Sequence, residues 1–479
     1  MKQRKIRFYN RLAYAVGDFY GGGGFFIVST FTMFFLINVA GLSPLAAGLV
    51  IGLGKVWDAI SDPLMGYITD KTHTRFGRRR IYFLIGIVPI FISSMLIWLP
   101  VNFSVEYYKF IYYFLAYIFF YTVSTFVMIP YSALGAEMTT DFKERNRLFG
   151  LRMIFSMAST LIVGLFAQPI IDMYSTPAEG HKMLGIFSGL FCAIPFIFVF
   201  LGTWELPYER NKSEYKSFFR NFITIFNNRS FRIHIGMYIF AYAAMDVLMS
   251  WLKFYMNDYL ERPKFLSIGL GAIIITQILS ISLYIYLANK KGKGFAYILG
   301  MTLWGIAMLL FSFQTAQSST VMLIINCIFI GFGLSAAVYV PWAILPFVTD
   351  VDELITGEKR AGTYSGAMTL TRKLIQGLIV LPLLGLMLNI IDYKPNAIQS
   401  ADTIISMKYM FIFTPILFII IGIYFATRFK ITPKTHKIMM DEIERLKSGG
   451  KKIDVSQDTK DVCEALTGIS YQKLYAKDN

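Results

Sequence analysis

Apolar residues along this chain come in runs long enough to cross a bilayer, separated by short polar breaks. A hydrocarbon core of about 30 Å takes about 20 residues of helix, and in lipid every backbone N–H and C=O must be paired within the protein. Twelve runs have that length, near 13–38, 45–69, 81–101, 106–137, 147–171, 183–204, 231–257, 266–288, 294–314, 319–348, 363–391 and 407–427. They do not alternate as the short strands of a membrane β-barrel do. The pattern predicts an all-α integral membrane protein of twelve transmembrane helices. The longest polar interruption, Glu205 to Ser230, divides them six and six. The expected organisation is a six-helix half over 1–204, a central loop over 205–230, a second six-helix half over 231–429 and a soluble tail over 430–479. Phe218, Phe219, Phe222 and Phe226 recur at helical spacing among polar residues, which predicts an interfacial helix in the loop. Met440–Lys447 predicts a short charged helix in the tail.

The halves carry signs of a repeat. Span four ends in Pro130-Tyr131 and a charged loop then leads to Arg147 and Arg152; span ten contains Pro341-Trp342 and a charged loop then leads to Arg360, Arg372 and Lys373. With the six-plus-six split, this fits a transporter of two repeated halves around a midplane site.

Composition narrows the class further. Hydrophobic residues make up 55% and charged residues 16%, against about 25% charged in soluble domains. The net charge of +16 lies mostly in loops on one side: Lys2 to Arg11, Lys71 to Arg80, Lys143 to Arg147, Arg210 to Arg232, Lys290 to Lys293, Lys359-Arg360 and the tail from Arg428. Such asymmetry places both termini in the cytoplasm and predicts a multi-pass protein of the cell membrane, with the bilayer as its surroundings and no nucleic-acid partner. No small-residue cleavage site follows the first run, which is read as a retained span. Cys192, Cys327 and Cys463 offer neither a disulfide framework nor paired metal ligands, and the four histidines are scattered. No enzyme constellation and no cofactor are expected.

Charges inside the spans carry the chemistry, because each needs a partner or a function. Lys55, Asp58 and Asp62 lie at i, i+3 and i+7 on one face of span two, with Ser61 beside them. Asp18 sits in span one at a broadly similar depth, roughly 9 Å from the end of its run. Three carboxylates against one lysine leave a deficit of about two positive charges. A small hard cation held by carboxylate and hydroxyl oxygens, or protonation, would cancel part of it. Either is a coupling ion, Na⁺ or H⁺. Arg372 and Lys373 lie about ten residues into span eleven, roughly 15 Å deep, too far in for both to snorkel, and are expected to face this acidic group or Asp246. Asp246 and Lys253 share a face at i, i+7 in span seven and are expected to form a structural pair or a loop-edge group, not to couple. The run Gly21–Gly24 is no phosphate loop, since no strand precedes it; close helix packing is the expected use.

These residues resemble the glycoside–pentoside–hexuronide:cation symporter family of the major facilitator superfamily. The resemblance rests on Trp57-Asp58-Ala59-Ile60-Ser61-Asp62-Pro63-Leu64-Met65-Gly66, then Asp70-Lys71 and Arg75-Phe76-Gly77-Arg78-Arg79-Arg80. Further matches are Gly17-Asp18-Phe19, Ile129-Pro130-Tyr131, Pro341-Trp342, Asp352-Glu353 with Thr356-Gly357-Glu358, and Tyr364-Ser365 before Arg372-Lys373. The family implies cation-coupled symport of a sugar, glycoside or sugar acid by alternating access, with function as a monomer. It implies that Asp58, Asp62, Ser61 and Thr125 hold the cation. It implies that Asp18 and Arg152 bind the sugar, that Lys373 links the two sites and that Trp342 lines the pocket. Arg372 is placed with the substrate residues on its depth. Met128 also falls at the substrate site, where a well-known member carries an aspartate, and Ser132 stands where that member has a tryptophan. Both departures bear on the choice of ion and cargo. A related branch carries lysolipids with Na⁺, and Met128 would suit an acyl chain.

Overall fold

The computed structural model describes residues 6–139, 141–206 and 224–475. Twelve of its helices are long and apolar enough to cross a membrane: α1 Phe8–Asn38, α2 Pro44–Lys71, α3 Arg80–Trp98, α4 Glu106–Glu137, α5 Lys143–Asp172, α6 Pro177–Gly202, α7 Arg229–Tyr259, α8 Phe265–Lys291, α9 Lys293–Phe311, α10 Thr320–Thr356, α11 Ala361–Ile390 and α12 Ala401–Thr427. Two more follow in the tail, α13 Pro433–Lys447 and α14 Gln457–Thr467. Among the described residues there is no strand. The spans fall on the apolar runs, and α10 outlasts its run. Its last turns are polar, Asp350 to Glu353, and Gly357 ends it at φ +78°, a left-handed cap that favours glycine.

Glycines set how closely some helices approach. In α1, Tyr20–Gly24 forms a widened π-helical turn. A Cβ on Gly22 would lie 2.3 Å from the Ser156 carbonyl oxygen of α5, and one on Gly23 would lie 2.9 Å from that of Ser159. The Gly23 N–H donates to Ser159 Oγ at 2.9 Å. The glycine run therefore lets α1 pack on α5 nearly backbone to backbone. Gly22→Leu is expected to destabilise the fold by about 1–3 kcal/mol through overpacking, read as an earlier unfolding transition of the purified protein in detergent. An unchanged transition would show that α5 yields freely.

The two six-helix bundles meet on the face remote from the termini. There α2 lies against α11, with no room for a side chain at Gly48 beside the Leu381 carbonyl or at Gly52 beside that of Gly377. Gly271 of α8 packs on Leu165 of α5, and the Phe34 and Phe254 rings of α1 and α7 are 5.1 Å apart. The Tyr393 hydroxyl donates to Asn38 Oδ1 at 2.9 Å. On the terminal face each bundle keeps its own charges. Arg78 and Arg79 pair with Glu137 at 2.6 and 3.0 Å, and the backbone N–H groups of Arg78, Arg79 and Arg80 donate to Glu205. In the other bundle, Arg360 pairs with Asp352 at 2.6 Å, and Asp350 with both Lys359 and His436. Among the described residues these ion pairs lie within one bundle or the other.

The tail departs from expectation. Its first helix begins at Pro433, ahead of Met440, and is amphipathic: Met439, Ile443 and Leu446 are buried. It is docked on the second bundle through Lys447–Glu353 at 2.5 Å, while the Ser230 hydroxyl donates to the Leu466 carbonyl of α14 at 2.6 Å. The apolar stripe needs a partner surface, and it shares one buried core with Val351 and Leu354 at the end of α10. Lys447 lies outside the spans, and its hydrogen bond to Glu353 raises its pKa. The lysine is thus charged at neutral pH, and its contribution is lost as pH rises through that raised value. Of the expected loop helix, Phe218, Phe219 and Phe222 lie outside the described residues. Phe226 sits in the short turn Ile225–Asn227, its ring 5.4 Å from Phe231.

Candidate functional site

The stripe on α2 becomes the middle of the molecule. Lys55 Nζ lies 3.1 Å from Asp58 Oδ2. Lys373 reaches across from α11 and places its Nζ 2.9 Å from Asp58 Oδ2 and 2.5 Å from Asp62 Oδ2. From α4, the Thr125 hydroxyl donates to Asp62 Oδ1 at 3.0 Å and stands 3.4 Å from Asp58 Oδ1. Ser61 Oγ is 3.0 Å from Thr125 Oγ1. The four residues expected to hold a cation, Asp58, Asp62, Ser61 and Thr125, are thus drawn together at the junction of α2 and α4. Their donors are all oxygen, which suits a hard cation.

The residues expected to bind substrate fall on either side. Arg152 of α5 donates from Nε to Asp18 Oδ1 at 2.9 Å and lies over the Tyr131 ring at 4.7 Å. A Cβ on Gly21 would touch both Asp18 and the Met128 methyl, so Met128 sits near this pair. On the other side, Arg372 lies 4.0 Å over the Tyr242 ring with Nη2 3.8 Å from Asp246. Trp342 Nε1 donates to the Tyr242 hydroxyl at 3.2 Å, and the Trp342 side chain is exposed.

Two expectations need correction. Asp246 does not pair with Lys253. Seven helical residues span about 10.5 Å along the axis; Asp246 turns to Arg372, and Lys253 lies over the Phe31 and Phe34 rings of α1 at 4.9 and 4.3 Å. Nor is there a standing deficit of positive charge. Asp18 is matched by Arg152, and Lys373 serves Asp58 and Asp62 together. Between these two carboxylates stands the Lys373 ammonium group, so a cation placed there would have to displace it.

Three aromatic residues that the sequence did not assign to the site hold its bases, Tyr131 among them although its Pro-Tyr pair marks the repeat. Tyr131 carries Arg152 and Tyr242 carries Arg372, while the Tyr121 ring lies 4.6 Å from Lys55 Nζ. Tyr242 precedes Asp246 by four positions, so their shared helix face was the one available signal.

Two six-helix bundles closed at one end around midplane charges define a secondary transporter of the major facilitator fold. Residues 13–433 match the family described as MFS/sugar transport protein, and the chain belongs to it, within the glycoside–pentoside–hexuronide:cation symporters. The chain is similar to the uncharacterized symporter YnaJ of Bacillus subtilis, 29% identical with 92% of this chain and 96% of the relative covered. It is 28% identical to a sodium-dependent lysophosphatidylcholine symporter of Danio rerio, 1-B, over 86% and 85% of the two chains. It is 24% identical to the putative glycoside/cation symporter YagG of Escherichia coli, over 87% and 92%. The crystal structure of the nucleoside transporter NupG shares the fold, with a TM-score of 0.61, 14% identity and coverage of 88% and 99%. The protein is therefore a multi-pass membrane transporter of the secondary class, not an enzyme, and its relatives include symporters named for sodium or a cation.

Proposed function

We propose that the protein carries a sugar, glycoside or sugar acid into the cell together with Na⁺ or H⁺, by alternating access across the cell membrane. In this reading both termini are cytoplasmic, 1–204 and 231–429 are the moving halves, and the terminal face is turned to the cytoplasm. Asp58, Asp62, Ser61 and Thr125 hold the ion. Asp18, Arg152, Lys373, Arg372, Trp342 and Met128 line the substrate. The observation that carries the proposal is Lys373, a residue of the second half clamped between the two acids of the first. A cation arriving at Asp58 and Asp62 frees Lys373 toward the cargo, so each ligand improves the site for the other.

Counterflow of a labelled panel in proteoliposomes, under Na⁺, Li⁺ or a proton gradient, tests this. Accumulation of at least one carbohydrate that depends on Na⁺ or pH is expected. Indifference to every ion discards symport through this site. The likeness to a lysophosphatidylcholine symporter favours a second reading, an amphiphile beside Met128, and binding of lysolipids alone in the same panel would establish it.

A further inference from the structure

The turn between α8 and α9 gathers bases that the transport site does not use. Gly292, at φ +92°, reverses the chain within one residue. It sets Lys290 and Lys291, at the end of α8, beside Lys293 at the start of α9. The chain leaving α12 passes the same corner: a Cβ on Gly292 would lie 4.0 Å from the Pro433 ring, and one on Gly294 3.8 Å from the Phe429 ring. That stretch adds Arg428, Lys430 and Lys434. Among the described residues none of these bases has an acid within 4.0 Å. Aromatic rings carry four of them instead. Lys290 lies 5.4 Å over Tyr286, Lys291 4.9 Å over Phe295, Lys293 3.5 Å over Phe347 and Arg428 5.2 Å over Tyr424.

The corner of the first bundle that matches it in helix order, between α2 and α3, is closed by the protein itself. Glu137 at the end of α4 pairs with both Arg78 and Arg79, and Asp70 adds a second acid to Arg79. In the second bundle the polar end of α10 brings Asp350 to the corner, but its two oxygens are taken by Lys359 and His436, at 2.5 and 2.9 Å. The lysines of the turn are left to an acid from outside the protein. The opening they surround is amphipathic. A cavity of about 280 Å³ is walled by Lys293 and His436 and by the apolar Ala288, Phe347, Ile431 and Pro433. It lies where α8, α9 and α12 end or begin, and Tyr286, Phe295 and Tyr424 beside it are exposed, as aromatic residues at a bilayer boundary are. Basic pockets between spanning helices at that level suit anionic headgroups. We propose that this corner binds the phosphate of one anionic phospholipid, with Lys293 and Lys434 as its counter-charges, and that the lipid fastens the tail helix α13 to the α8–α9 turn. All of its walls belong to the second half and the tail, so it stands whether the cargo is a sugar or an amphiphile.

Native mass spectrometry of the full-length protein, released from detergent holding equimolar dioleoyl-phosphatidylglycerol and dioleoyl-phosphatidylcholine, reads the retained lipid. Phosphatidylglycerol is expected to be held at least about tenfold more tightly than phosphatidylcholine. Lys293→Gln and Lys434→Gln should each weaken it about fivefold, as for one lysine near an anionic surface, and the two together about 25-fold. Lys293→Arg should keep the binding, since the charge remains. Lys143→Gln, which removes an exposed lysine of the first bundle, should change it by less than about twofold. If Lys293→Gln unfolds early in phosphatidylcholine alone, the exposed Lys434 decides the matter through its own variant. Equal retention of the two lipids, or an equal loss in Lys143→Gln, would overturn the proposal and leave only the general charge of the surface. Displacement of phosphatidylglycerol by excess inorganic phosphate would show a site for the free anion and overturn the lipid as its occupant.

Discussion

Asp58→Asn is expected to abolish cation-driven accumulation while the protein still reaches the membrane. Asp58 is almost fully buried and, among the described residues, is the one acid that pairs with both Lys55 and Lys373. Neutralising it removes one of two carboxylates available to a cation, takes the acid from Lys55 and leaves Lys373 with Asp62 alone. Truncating one partner of a buried charge pair between ligand and protein costs about 2–5 kcal/mol of binding, so cation affinity should drop by about 30-fold or more at 1.4 kcal/mol per decade. The measurement is uptake against a gradient in vesicles, normalised to the protein in the membrane fraction. A mutant that concentrates its cargo normally would show that the ion is held elsewhere.

That expectation could be framed from the sequence, because Lys55, Asp58 and Asp62 are near neighbours whose helical spacing alone puts them on one face. The twelve spans were legible for a similar reason: bilayer thickness imposes a length on each helix, and the apolar runs report it directly. The depth of Arg372 and Lys373 also told that they would meet acids. Which acids they would meet was only bracketed. Lys373 and Asp62 are 311 positions apart, and no local spacing relates them. The balance of charge was misjudged on that account, since it depends on Arg152 reaching Asp18 and on one lysine serving two carboxylates. Lys253 shows the same limit. Its place on Phe31 and Phe34 is set by how α7 meets α1, which the pattern within α7 does not encode. The tail helix was legible over Met440–Lys447, but its docking was not, because an amphipathic helix of Met439, Ile443 and Leu446 announces an apolar face but not the surface that covers it.

Lys373→Gln separates coupling from ion binding. In the native protein Lys373 occupies both carboxylates, so a cation competes with it and succeeds best when cargo draws the lysine away. Saturating cargo should therefore raise cation affinity by a factor in the range typical of linked sites, about 5- to 150-fold. Without the ammonium group, Asp62 keeps Thr125 but loses its basic partner, and two neighbouring carboxylates are left with Lys55 alone. Such a pair attracts a cation or a proton whether or not cargo is present. Cation affinity measured without cargo should rise, the ratio of affinities with and without cargo should fall to about one, and accumulation should be lost because the ion no longer drives the cargo. Titrating Na⁺ at fixed pH, with and without a saturating carbohydrate, gives both affinities directly. A ratio that stays at its native value would mean that Lys373 braces α2 against α11 and transmits nothing, and the linkage between the two ligands would then have to run through the opposite pair, Asp18 and Arg152.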